Sequence, residues 1–126
     1  MKRMIPLLLS ILLLTGCGGN SADATYQKID QEAAKEMMDT QEVIILDVRE
    51  QDEYDSGHIP GAVLLPVGTI DEDIAAAVIP EKDSTVLVYC RSGNRSKTAS
   101  STLADLGYTN IYEFGGINTW PYDTEP

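Results

Sequence analysis

The stretch Val86-Leu87-Val88-Tyr89-Cys90-Arg91-Ser92-Gly93-Asn94-Arg95-Ser96 constrains the fold of this chain more than any other. Four apolar or aromatic residues in a row, two of them valine, suit a strand buried on both faces. Ser92-Gly93-Asn94 breaks regular structure. From Asn94 to Leu106, the spacing of Ala99, Leu103 and Leu106 gives a helix with one apolar face. A buried strand feeding a helix through a short loop belongs to an α/β fold with a mainly parallel sheet. Ligands in such folds bind at the carboxyl ends of the strands, and the sequence puts Cys90 there.

The loop after Cys90 has the character of an anion site. Its backbone N–H groups have no ladder partner, and the helix start adds unpaired donors and partial positive charge. Arg91 and Arg95 add permanent cations. A thiol in that setting ionises more readily than a free one, whose pKa is about 8.5. Cys90 is therefore the expected nucleophile, and Arg91, Ser92, Gly93, Asn94, Arg95 and Ser96 are the expected substrate-binding residues.

The remaining segments extend the pattern. Tyr26 to Ile29 suits a short strand, and Asp30 can cap a helix that carries Ala33, Ala34, Met37 and Met38 on its apolar side. Val43 to Val48 reads as a buried strand that delivers Asp47 to the sheet's carboxyl end. Asp47 and Arg49 flank Val48 and point the same way if the strand persists, so a salt bridge supporting the site is expected, with Glu53 as another partner for Arg49. Gln51 to Ser56 is polar and turns through Gly57. Ala62 to Val67 suits a short strand interrupted by Pro66, and Ile70 to Ile79 a helix with an acidic start. Asn110 to Phe114 suits a last strand, Gly115-Gly116 a tight turn, and Trp120 the edge of the core.

Taken in order, Asp47-Val48-Arg49-Glu50, Glu53-Tyr54, Gly57-His58-Ile59-Pro60-Gly61-Ala62, the Cys90 to Ser96 loop, Gly107-Tyr108, Gly115-Gly116 and Trp120 resemble the signature of the rhodanese-like sulfurtransferases. The resemblance runs from about Tyr26 to the end. It implies a single domain at 26–126, with a mainly parallel sheet flanked by helices. It also implies a thiosulfate-type reaction: Cys90 takes sulfur from an anionic donor as a persulfide and gives it to a thiol or cyanide acceptor. No cofactor is implied. In that family the Gly-His-Ile-Pro-Gly-Ala segment is a structural turn, which argues against a Cys90-His58 dyad. One histidine and one available cysteine fall short of a metal site's usual ligands, so no metal is expected.

Two other reaction classes compete. Tyrosine-phosphatase-type loops, which handle phosphate or arsenate, place arginine six positions after cysteine, whereas Arg95 follows Cys90 by five. The resemblance implies sulfur for the shorter ring, since in that superfamily the longer loops go with the phosphatase branch. A membrane-tethered persulfide carrier or partner-binding module is the other alternative, and the intact cysteine argues against an inactive module.

Residues 1–16 begin with Lys2 and Arg3 and continue through an apolar run from Ile5 to Leu14. That run is too short to span a bilayer but suits a secretory signal. Leu14-Thr15-Gly16-Cys17 resembles the bacterial lipoprotein box, which implies lipidation of Cys17 and removal of the leader. Residues 17–25 suit a flexible tether. The expected location is the cell envelope, lipid-anchored on the extracytoplasmic face of a membrane. The formal charge of −11 argues against nucleic acid as a partner and against electrostatic adhesion to anionic lipid. A monomer is expected. Arg49, Arg91, Arg95 and Lys97 all fall in the two signature segments, so a positive spot is expected at the site.

Overall fold

The computed structural model describes residues 25–126; the expected leader, Cys17 and most of the tether lie outside them. In chain order the elements are β1 (Gln27–Lys28), α1 (Gln31–Thr40), β2 (Ile44–Asp47), α2 (Gln51–Asp55), β3 (Val63–Leu64), a 3-10 turn (Val67–Thr69), α3 (Glu72–Val78), β4 (Val86–Cys90), α4 (Asn94–Asp105), β5 (Ile111–Gly116) and a second 3-10 turn (Ile117–Thr119). The five strands form one sheet in the order β1-β5-β4-β2-β3, and every pairing is parallel. The α/β class with a parallel sheet flanked by helices is the fold the sequence implies.

Alternation along β4 builds two cores. Val86, Val88 and Cys90 join Leu46, Ala75, Ile79, Ala99 and Leu103 on the side of α3 and α4. Leu87 and Tyr89 point the other way, into Ala34, Ile45, Ile59, Phe114 and Trp120. All five β4 residues are buried, as a central strand covered on both faces requires. Asp30 caps its helix as anticipated, Oδ1 accepting from Ala33 N at 2.7 Å, and within the acidic helix start Asp71 turns out to be the cap, Oδ1 accepting from Ile74 N at 2.8 Å. Trp120 is 9% exposed and packs against Phe114, in the edge-of-core position expected for it.

Three local expectations are corrected. Gln51–Asp55 is a helical turn rather than a polar loop; Glu53 Oε1 reaches back to the Glu50 N–H at 2.9 Å, the reach of a capping-box residue. The third strand stops at Leu64, and the chain then turns at Val67–Thr69, where Thr69 N bonds back to Pro66 O. Gly115 and Gly116 are no tight turn: they continue β5, and Gly116 pairs with Cys90 after a register shift between Val88 and Cys90.

Candidate active site

β2 and β4 are neighbours, so Asp47 and Cys90 emerge at the same end of the sheet. Asp47 is fully buried and Arg49 nearly so. The guanidinium grips the carboxylate through Nε–H to Oδ1 at 2.8 Å and Nη2–H to Oδ2 at 2.6 Å, and it also donates to Gly57 O at 2.7 Å. The Arg49 N–H and the Tyr89 hydroxyl donate to the same carboxylate at 3.0 and 2.7 Å. Tyr89 in turn accepts from Ile59 N at 3.1 Å. Burial pushes the Tyr89 phenol above its ordinary value, so it stays a donor. The network ties the residue before the cysteine to β2 and to the Gly57–Ile59 segment.

Cys90 is 1% exposed. The chain leaves it through Arg91 and Ser92 and reverses at Gly93, whose φ of 108° lies in the left-handed region that favours glycine. That reversal turns the Gly93 N–H back onto Sγ at 3.0 Å. Ser96, in the first turn of α4, brings its Oγ to 3.5 Å from Sγ and donates to Glu113 Oε2 at 2.5 Å. Burial pushes the Cys90 thiol up, but the Ser96 hydroxyl, when it turns its proton from Glu113 to sulfur, and the N–H groups of Ser96, Gly93 and Ser92 pull it down, and the net direction is below the ordinary thiol value. The loop therefore favours negative charge on sulfur, as donors aimed at a thiolate should.

The positive spot is smaller than four cations would make it. Arg49 is spent on Asp47. Arg95 forms a two-pronged ion pair with Glu53, Nη1 to Oε1 at 2.8 Å and Nη2 to Oε2 at 2.9 Å, so Glu53 serves Arg95 rather than Arg49. Among the described residues, Arg91 and Lys97 make no ion pair, and both are exposed. The Arg95 hydrogen bonds hold the Glu53 carboxyl at about 2. A carboxyl lowered in the folded state stabilises the fold above its unfolded pKa and loses that contribution as pH falls through the folded one. The melting-temperature advantage of the natural chain over Glu53→Gln should therefore be full at about pH 5 and nearly gone near pH 2. Thermal melts of both proteins across that range check it.

His58 does not approach the thiol. Its ring stacks on Tyr54 with centroids 3.8 Å apart, Nδ1 lies 3.0 Å from Tyr54 O, and Nε2 lies 3.5 Å from Glu125 Oε2. Backbone bonds between His58 and Glu125, 2.8 Å each way, clamp the end of the chain there. Glu113 had no place among the expected site residues. An isolated acidic residue in a strand reads as a solvent-facing one, and only the fold shows it buried beneath the loop.

The arrangement is a buried thiol at a strand end, ringed by backbone donors. A rhodanese-like domain model matches residues 30–121. The chain belongs to the rhodanese-like family. It is 40% identical over 72 residues to the Escherichia coli thiosulfate sulfurtransferase PspE, covering 57% of this chain and 68% of that protein. It is 33% identical over 96 residues to the thiosulfate sulfurtransferase GlpE of Coxiella burnetii, covering 75% and 87%. Among solved structures, it resembles an Escherichia coli rhodanese described with anions, with a TM-score of 0.61 at 33% identity over 67% of this chain and 98% of that one. The rhodanese-like domain of an Anabaena protein superposes with a TM-score of 0.72 at 27% identity, over 80% of each chain.

Proposed function

We propose that this protein is a thiosulfate-type sulfurtransferase working through a persulfide on Cys90. The observation that carries the reading is the Sγ atom at the end of β4, held by the Gly93 N–H on the floor of a donor-lined loop. The Cys90 thiolate attacks the outer sulfur of thiosulfate; an Sγ–S bond forms, the donor's S–S bond breaks, and its electron pair leaves with sulfite. An acceptor thiol or cyanide then attacks the outer sulfur, and the pair from the broken Sγ–S bond returns to Cys90. Two half-reactions through a covalent enzyme give ping-pong kinetics. The backbone N–H groups from Arg91 to Ser96 hold the anion and then the persulfide charge. Asp47 and Arg49 keep β2, Tyr89 and the Gly57 turn in place around the site. The ion pair between Arg95 and Glu53 weakens the phosphatase alternative, because the guanidinium that would clamp a phosphate is already engaged.

The test is the intact mass of the reduced protein before and after thiosulfate. A gain of one sulfur atom, reversed by cyanide and absent in Cys90→Ser, is expected. No gain, with hydrolysis of an aryl phosphate instead, would replace the sulfur reading with the phosphatase one. Lipidation of Cys17 is the other part of the proposal, supported by the signal-like leader before it. Cys17→Ala should move the protein from the membrane fraction to the soluble one, and continued detergent-dependent partitioning would sink the anchor.

A further inference from the structure

Glu113 has no part in the sulfur chemistry above, yet its side chain is wholly buried and one hydroxyl away from the nucleophile. β5 delivers it under the loop. Its Oε2 accepts from Ser96 Oγ at 2.5 Å and from Gly115 N at 2.9 Å, and Oε1 lies 3.3 Å from Lys28 Nζ. The Lys28 side chain is 64% exposed, so water screens much of its charge. A hydroxyl, an amide and a solvated ammonium are modest compensation for a carboxylate taken out of water. Across Ser96, the Cys90 thiol donates to Oγ at 3.5 Å. Ser96 Oγ also lies 3.4 Å from Gly115 O, but its shorter contact is to the carboxylate, which gives a path from sulfur to hydroxyl and from hydroxyl to carboxylate.

We propose that Glu113 is the internal proton acceptor for Cys90, acting through Ser96 Oγ. The inference rests on Cys90 being the nucleophile. The S–H bond breaks and its proton bonds to Ser96 Oγ, while the Ser96 O–H bond breaks and that proton bonds to Glu113 Oε2. The S–H electron pair stays on sulfur. A thiol and a carboxylate become a thiolate and a carboxylic acid, with no change in net charge and no proton released to solvent. The chain of hydrogen bonds is then reversed, Glu113 donating to Ser96 and Ser96 to Sγ. A serine hydroxyl has a single proton and cannot give it to an ionised Glu113 and to a thiolate at once. The two ionisations are therefore coupled and belong to the pair. The charged groups around the pair are Lys28 on β1, whose ammonium lies 3.3 Å from Glu113 Oε1, and Arg95 on α4, whose positive charge favours the thiolate. α1 contributes neutral Gln31, which donates to the Phe114 and Gly116 carbonyls. Glu113 touches no reacting atom and is a positioning residue.

The experiment is the rate of Cys90 alkylation by neutral iodoacetamide in the full chain, followed from about pH 4 to 9. In the natural protein, sharing of one proton by the pair should leave a pH-independent shoulder below the thiol titration. Glu113→Gln keeps an acceptor for Ser96 and for the Gly115 N–H but cannot take the proton. Its shoulder should vanish, and its rate should fall about tenfold per pH unit below the thiol titration, since only the thiolate reacts. Ser96→Ala removes the bridge with Glu113 in place and should lose the shoulder too; it carries the test if the Gln variant does not fold. Superimposable profiles for the natural and variant proteins would overturn the proposal. So would faster acid-side alkylation of Glu113→Gln, which would make Glu113 only a repelling charge. Alkylation needs no sulfur donor, so it reads the relay even if the mass measurement rejects thiosulfate.

Discussion

Gly116→Ala is expected to abolish sulfur transfer and to cost about 3 kcal/mol or more of stability. The backbone at Gly116 is ordinary extended chain, with φ −139° and ψ 157°, so conformation is not what demands glycine there. Space is. A Cβ at Gly116 would overlap the carbonyl carbon and oxygen of Arg91 and lie 2.6 Å from Ser92 N. These are main-chain atoms, which cannot swing aside as the tip of a long side chain can. Arg91 O is also held by the Asn118 N–H at 3.1 Å. Relief must come from lifting the loop off β5, and that movement takes the Gly93 N–H away from Sγ. Denaturant unfolding and the persulfide mass shift, measured on one preparation, check both halves. Retained sulfur loading would mean that the loop can be displaced without loss of the nucleophile's donors.

Asp47→Ala is expected to destabilise the protein by about 3–5 kcal/mol, the range for removing one partner of a buried ion pair. The carboxylate accepts four hydrogen bonds, three from Arg49 and one from Tyr89. Without it the Arg49 guanidinium keeps only the Gly57 carbonyl, and the Tyr89 hydroxyl has nothing to donate to. Asp47→Asn retains the volume and one acceptor oxygen and should lose less. Sulfur transfer should fall alongside stability in the alanine variant, because Tyr89 is the residue that leads into Cys90. Urea unfolding of both variants tests the ranking. A loss below about 1 kcal/mol for Asp47→Ala would mean that water enters and solvates the stranded guanidinium.

What could be read from the chain depended on whether the signal was local. β4 and α4 were legible because a two-faced apolar run and a 3.6-residue spacing lie on either side of a breaker cluster. Asp30 was legible as a cap for the same reason, and Asp71 only as part of an acidic helix start. α2 was not: four polar residues and one tyrosine carry no periodicity, and the Glu50-to-Glu53 spacing was the sole trace of its capping arrangement. Gly115-Gly116 read as a turn because glycine usually marks one, while the close approach of Arg91 that requires glycine at 116 comes from the loop after β4, distant in sequence. The site divides along the same line. Cys90 and its loop were written in one contiguous segment. The Arg95 pairing with Glu53 spans 42 positions, and the Ser96 bond to Glu113 joins α4 to β5. Those contacts cancel charge and redirect a proton, and neither follows from residue types alone.

The parallel sheet also gives the molecule a polarity. Every strand runs toward the loop, so the chain enters at one pole and does its chemistry at the other. Thr25 stands two residues before β1, near the level where β4 begins, and β4 then rises four residues to Cys90, about 13 Å at the usual advance per strand residue. Any attachment preceding Thr25, whether a lipid, a resin or a fused domain, pulls on the end of the domain away from the mouth of the site. Immobilising the domain through that end should leave the sulfur-handling face turned outward, toward whatever approaches from solution.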